Sequence, residues 1–408
     1  MAGPLQGVVV LDLSRILAGP WATQLLADFG AEVIKVEHPR GGDDTRGWGP
    51  PYLKDEAGAD TTESAYYLSA NRGKRSVAID LATTEGQSLV RRLATQADVL
   101  VENFKVGGLA RYGLAYDDLA PLNPRLVYLS ISAFGQDGPA AAEPGYDAMI
   151  QAMGGLMSLT GVPEGEPGAG PQKVGVAVAD LTCGMYGVAA VLAALNERRD
   201  SGRGQFIDLS LLDTQVAWLA NQNLNYLVSG EAPRRRGTAH PNIVPYQSFR
   251  TADGFLMLAV GNDAQFARFC AAAGATELAA DQRFQTNQER VAHRGELVPR
   301  IEAILLTRTS AAWLEDLREA QVPCGPINDL AQVFAEPQVR HRGLRLDLPH
   351  PLSGSVPGVR NPVLFSRTPL RYDRPPPPLG ADTDEVLRQR LGLGPGDLAA
   401  LRSRGVVA

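Results

Sequence analysis

Residues 8–36 constrain the fold more than any other stretch of the chain. Val8–Ser14 is an apolar, β-rich run, and Ala18-Gly19-Pro20 breaks it. Trp21–Phe29 then places Leu25, Leu26 and Phe29 on one helical face, Gly30 stops the helix, and Glu32–Val36 is β-rich again. A strand, a helix and a strand in so short a span form a βαβ unit, and its two strands must run parallel. The pattern recurs with a strand at Ser76–Asp80, a helix at Thr84–Gln96, and strands at Asp98–Val101 and Arg125–Ser132. Thr84 followed by Gln87 resembles a capping box. The expected fold class is α/β, a parallel sheet covered by helices. The first turn reads Leu-Ala-Gly-Pro rather than GxGxxG, so no dinucleotide fingerprint is present.

The chain has 408 residues, more than one ordinary core accommodates, so two domains are expected. Asp180 opens a long helix, Leu181–Arg198; a strand at Gln205–Leu209 and a helix at Asp213–Leu227 follow. Ser229–Pro245 is rich in Gly, Pro and Arg. Tyr246–Arg318 reads as a second unit, with a strand at Phe255–Val260 and helices near Ala264–Ala273 and Glu296–Leu306. Val322-Pro323-Cys324-Gly325-Pro326 returns the chain to the first unit, Pro375–Pro378 is a stiff spacer, and Thr383–Leu391 is a closing helix. The expected division is residues 1–200 as the first part of a large domain, 201–245 as a linker, 246–321 as a small domain, and 322–408 as the return to the large domain.

A formal net charge of −6 argues against a nucleic-acid partner. Cys183, Cys270 and Cys324 form no CxxC pair, and the five histidines show no HxxxH spacing, so neither a disulfide framework nor a metal site is expected. The N-terminal sequence lacks a basic start and Asp12 interrupts its apolar run, unlike a signal or transit peptide. The longest apolar helix candidate, Cys183–Leu195, is shorter than the ~20 residues that span a bilayer. The expectation is a cytoplasmic protein.

Three features could carry chemistry. Arg40, Arg46, Arg72, Lys74, Arg75 and Arg111 are either solvated surface charge or a polyphosphate site, which arginine forks suit. Asn103-Phe104 follows a strand and precedes Gly107-Gly108; it is either a ligand-binding loop or a turn with a buried Phe. Asp180 stands at the start of a helix, where its bland role is an N-cap. A helix N-terminus also favours the carboxylate, which needs no general base to act as a nucleophile.

The opening LDLSRILAGPWATQLLADFGAEVIKVEHPRGGDDTRGWGPP resembles class III CoA-transferases, the family of formyl-CoA transferase and carnitine CoA-transferase. So do NRGKRSVAIDL, ADVLVENF, GYDAMIQAMGGLMSLTG, VADLTCGMYG, SGRGQFIDLSLLD and VPCGPIND, in order along nearly the whole chain. The resemblance implies a Rossmann-like large domain built from both chain ends, a small α/β domain between them, and an interlocked homodimer. It implies that Asp180 is the nucleophile, forming an aspartyl-CoA thioester. It assigns contacts with CoA to Arg15, Leu17 and Ala18, to His38 and Arg40, to Ile79, Asp80, Leu81 and Ala82, and to Asn103, Phe104 and Arg111. Tyr146 and Asp147 match a pair at the pantetheine and acyl end. Coenzyme A enters as a substrate, with no tightly bound cofactor and no metal.

Two departures bear on the substrate. Formyl-CoA transferase has Gln where Leu17 stands, and a glycine run where this chain reads GTAHPNIVP. The latter is more similar to relatives that handle succinyl-CoA and dicarboxylic acids such as glutarate, malate or itaconate. His240 could meet a distal carboxylate or serve as a turn residue. Backbone amides near Gly154–Gly161 or in the small-domain loop could hold the oxyanion. Two other readings share the resemblance: an α-methylacyl-CoA racemase-like enzyme, which would place His where Tyr146 stands, and a CoA-binding protein without catalysis.

Overall fold

The computed structural model describes residues 3–408. Two compact units divide the chain: residues 3–156, 173–231 and 342–408 in the first, and 157–172 with 232–341 in the second.

The first unit is built on strands β1 (Val9–Asp12) and β2 (Glu32–Glu37), a small hairpin of β3 (Tyr52–Lys54) and β4 (Asp60–Ser64), then β5 (Lys74–Ala78), β6 (Val99–Glu102), β7 (Val127–Ser132) and β8 (Phe206–Ser210). Six of these form one sheet in the order β5-β2-β1-β6-β7-β8, with every neighbouring pair parallel. The side-chain period of two sorts residues onto its faces. Val10, Val33, Val99, Val101, Val127 and Leu129 pack under helices Ala18–Asp28 and Val178–Ser201. Leu11, Ile34, Leu100 and Tyr128 pack with Leu89, Val90, Val386, Leu387 and Leu401 on the opposite face. Helix Thr383–Leu391 therefore completes the core begun by the first strands, and Val407 bridges to Ile79.

The expected linker starts later than residue 201. β8 extends the parallel sheet, and helices Leu211–Trp218 and Asn221–Ser229 follow it in the first unit. The helix carrying Asp180 begins at Val178 and runs to Ser201, longer than the apolar segment Cys183–Leu195 suggests and long enough to cross a bilayer. Half of its most apolar stretch is buried within the protein, where it packs on Ala18–Asp28. Gly184 makes the close approach possible, because a Cβ there would lie 2.7 Å from the Ala18 carbonyl oxygen. Thr83, one residue before the expected start of a capping box, is the N-cap, its hydroxyl accepting from the Gly86 amide; Gly86 at N3 has no side chain to complete a box.

The second unit is a three-stranded antiparallel sheet, β9 (Tyr246–Arg250), β10 (Phe255–Ala259) and β11 (Cys324–Pro326), in the order β11-β10-β9. Helices Asp263–Ala272, Arg294–Leu305 and Ser310–Glu319 enclose a core of Phe249, Phe266, Phe269, Phe284 and Trp313. In the first unit, β12 (Arg345–His350) and β13 (Gly354–Val359) form a hairpin ahead of the closing helices.

Candidate active site

Successive strands leave β1 in opposite directions, to β2 and β5 on one side and to β6, β7 and β8 on the other. The C-terminal edge between β1 and β6 is thus the switch point where open α/β sheets hold ligands. Two reciprocal hydrogen bonds close it: the Arg15 amide donates to Asn103 Oδ1 at 2.8 Å, and Asn103 Nδ2 donates to the Arg15 carbonyl at 2.8 Å. Glu102, which ends β6, accepts from the Phe104 amide at 2.8 Å. Burial pushes its carboxyl up to about 7, against opposing hydrogen bonds from Ser130 and Phe104.

A cleft of about 500 Å³ opens along this edge, within the usual range for small-molecule sites. Arg15, Leu17 and Ala18 line it from the turn after β1, and Asn103, Phe104 and Arg111 from the loop after β6. Tyr146 and Asp180 complete the expected residues that reach it. Lys105, Ser132 and Ala133 line it too and were missed by the sequence reading; their place after β6 and β7 becomes visible only once strand order is known. Arg15, Lys105 and Arg111 bring three cations to the cleft. Arg15 lies against Asp44 at 2.9 Å, half exposed, and its guanidinium is 5.7 Å from the Phe104 ring centre.

Asp180 does not cap its helix. The N-cap position is Ala177, and Asp180 sits in the first turn. The capping group comes from a distant carboxylate: Asp147 Oδ2 accepts from the Ala179 amide at 2.8 Å and from the Asp180 amide at 3.4 Å. Gln151 donates to Asp147 Oδ1 at 2.6 Å and accepts from the Val174 amide at 2.9 Å, fixing the cap. Asp147 therefore caps the helix that carries Asp180 rather than lining the cleft beside Tyr146. Burial, and then the negative charge of Asp147, push the Asp180 carboxyl up to about 7. This shift opposes the preference for the carboxylate expected of a helix N-terminus. The Tyr66 hydroxyl, pushed up to about 12 by burial and then by Asp180 and Asp147, belongs to the same electrostatic environment. Its ring meets Trp48 edge-on at 5.1 Å. These two aromatics were not singled out from the sequence.

Seven expected residues lie elsewhere in the first unit or play another part. His38, Arg40, Asp80, Leu81 and Ala82 follow β2 and β5 on the same C-terminal edge, outside the cleft lining. His38 Nε2 approaches Asp80 Oδ1 at 4.0 Å, and Asp80 Oδ1 accepts from the Ala82 amide. Ile79 is 1% exposed and belongs to the core. Asp147, the seventh, is the helix cap just described.

Four of the six residues of the basic cluster are neither solvated surface nor free for a phosphate, whereas Arg40 is exposed and Arg111 lines the cleft. Arg46 is buried between Glu37 and Glu63, Arg72 binds Asp28, Lys74 binds Asp12, and Arg75 binds Glu32. A buried cation has to be paired, so these donors are already committed to carboxylates. In the second unit, His240 Nδ1 accepts from the Asn242 amide at 3.1 Å and its ring rests on Tyr246. Its carbonyl accepts from Arg294, and burial with the Arg294 charge pushes its imidazole down. Gly154 donates to the Ile150 carbonyl at 2.7 Å, closing helix Asp147–Met153.

A family model described as CoA-transferase family III matches residues 5–383. The succinate–glutarate CoA-transferase of Agrobacterium fabrum is 53% identical over 390 residues, covering 95% of either chain. The human succinyl-CoA:glutarate CoA-transferase is 43% identical over 406 residues, covering 99% of this chain and 90% of that one. Among solved structures, a CAIB/BAIF family protein from Brucella suis matches with a TM-score of 0.84 at 47% identity, covering 96% of this chain and 100% of that one.

Proposed function

The chain belongs to CoA-transferase family III, and from that premise we propose that it moves CoA from succinyl-CoA to glutarate through a covalent intermediate on Asp180. The observation that carries this reading is the Asp180 carboxyl at a cleft lined by Arg15, Lys105 and Arg111. The three cations suit the phosphates of CoA. The donor and acceptor follow the names of the two relatives, succinate–glutarate and succinyl-CoA:glutarate CoA-transferase. The Asp180 carboxylate attacks the thioester carbonyl; the C–S bond breaks and CoA leaves as thiolate, giving a mixed anhydride. The thiolate attacks the aspartyl carbonyl and succinate departs, leaving aspartyl-CoA. Glutarate attacks that carbonyl and expels the thiolate, which then attacks the glutaryl carbonyl, releasing glutaryl-CoA and the Asp180 carboxylate. Holding CoA by its nucleotide end keeps the thiolate beside the anhydride and offsets the weak nucleophilicity of a carboxylate.

The working enzyme is a homodimer. Helix Asn221–Ser229 supports this: Leu224, Tyr226, Leu227 and Val228 are 56%, 50%, 71% and 83% exposed, an apolar concentration typical of an interaction surface. Light scattering should give twice the chain mass; a monomer would refute it.

Intact-mass analysis after incubation with succinyl-CoA and a hydroxylamine quench tests the chemistry. A hydroxamate on Asp180, absent from Asp180→Ala, is the expected result. CoA binding without any acyl-CoA-dependent modification would remove Asp180 from the nucleophile's role.

A further inference from the structure

The turn after β1 passes beside the cleft, and side chains restrain its consecutive backbone polar groups. The Ser14 amide donates to Asp12 Oδ1 at 3.0 Å, and the Ser14 carbonyl accepts from Lys35 Nζ at 2.9 Å. Asn103 holds both polar groups of the Arg15 backbone. The Ile16 amide donates to the Asp43 carboxylate at 3.2 and 3.3 Å. Ile16 itself has φ of +71°, a left-handed conformation that is strained for a β-branched residue and persists only where the surroundings impose it. Asn103 restrains the turn from β6. From the β2 side the restraint is one ion pair, Lys35 Nζ to Asp43 Oδ2 at 2.9 Å, with both side chains fully buried.

We propose that the buried Lys35–Asp43 pair is a positioning device for acyl-CoA binding: it holds Arg15–Ala18 in the strained shape that forms one wall of the cleft. The inference rests on the reading that this cleft takes acyl-CoA. Neither residue lines the cleft, so both act through the turn. Asp43 is further fixed by the Thr45 amide and hydroxyl and donates its own amide to Glu37. Lys35 holds Asp43 well down, to about 2, despite burial, and Lys35 is itself raised. The pair stays charged across the working pH range and is a fixed clamp, not a switch. A buried pair of this kind is a weak source of net stability, which makes the geometry it imposes the stronger reason for its presence.

The test uses the full chain with Asp43→Asn, with the double variant Lys35→Met/Asp43→Asn, which removes both charges at similar volume, and with Asp28→Asn. Asp28 belongs to the Arg72 pair, which is also buried and makes no hydrogen bond to the turn. The expected result is a rise of about tenfold or more in KM for succinyl-CoA in both clamp variants, with kcat within about threefold and KM for glutarate unchanged, the pattern of lost uniform binding. Asp28→Asn should lower Tm and leave KM alone. A folded clamp variant with wild-type KM, or an equal rise in Asp28→Asn, would overturn the proposal. Amide exchange of residues 14–18, measured without substrate, judges the clamp separately. It should quicken at least about tenfold in the clamp variants only, and unchanged exchange would also overturn the clamp. Wild type that fails to bind CoA would instead overturn the functional reading.

Discussion

Arg290 is the one charged side chain fully buried in the second unit among the described residues. It directs its donors to the Val244 and Phe284 carbonyls at 2.8 and 2.9 Å and to Asp263 at 2.7 Å, with Phe266 across its face. The first unit instead buries Asp12, Lys35, Glu37, Asp43, Arg46, Glu63 and Lys74 together, near the C-terminal edge of its sheet. In the second unit the buried charge ties local backbone to an aromatic core. In the first, paired charges reach the backbone beside the cleft, and burial with the Asp147 charge pushes the Asp180 carboxyl up to about 7. The difference teaches that buried charge takes two distinct placements, one tying local backbone within a core and one tying the turn beside a cleft.

The comparison breaks first at Asp180. Asp180→Ala should reduce turnover at least about 10³-fold, as loss of a covalent nucleophile does, while calorimetry shows CoA affinity within about threefold of wild type. In the second unit, Arg290→Leu should cost about 3 kcal/mol, because the Val244 and Phe284 carbonyls lose their buried partner. Thermal unfolding should fall accordingly, with KM for succinyl-CoA unchanged in the folded protein. A KM effect there would erase the contrast between the units.

Two pH experiments sharpen it. The proposed chemistry requires Asp180 as the anion, so kcat/KM should rise with pH through a limb near 7. Asp147→Asn removes the charge that raises Asp180 and should move that limb to lower pH. Stability runs the other way. The folded carboxyl is raised from 3.8 to about 7, so the fold favours the protonated form. That contribution is full below the unfolded pKa and is lost as pH rises through about 7. Asp180→Asn, neutral at every pH, should therefore raise Tm above pH 7 and change it little near pH 4. The smallest effect belongs to Asp44→Ala. Freeing Arg15 from a half-exposed pair should lower KM for succinyl-CoA by about twofold, since such pairs contribute about 0–1 kcal/mol.

Much of the first unit was legible because its strands and helices carry their periodicity locally. Val8–Ser14, Trp21–Phe29 and Glu32–Val36 each contain the core of an observed element. The site was legible only in part. Asp180 drew attention as a helix-start acid, yet its cap is Asp147, a carboxylate thirty-three residues earlier, which no local pattern reveals. Arg46, Arg72 and Lys74 looked like free cations because Glu63, Asp28 and Asp12 are distant in sequence. Lys105 and Ser132 gained a place at the cleft through strand order, and strand order is a property of the whole sheet.

The pairing of Ile79 with Val407, and of the Asp80 amide with the Val406 carbonyl at 2.8 Å, also sets a timetable. Residues 232–341 supply most of the second unit in one continuous segment. The first unit cannot seal Val77, Leu89 and Val90 beneath Val386 and Leu387 until residues 386 and 387 have themselves been made. Its β5 flank stays open meanwhile, an exposed edge of the kind that chaperones guard during translation.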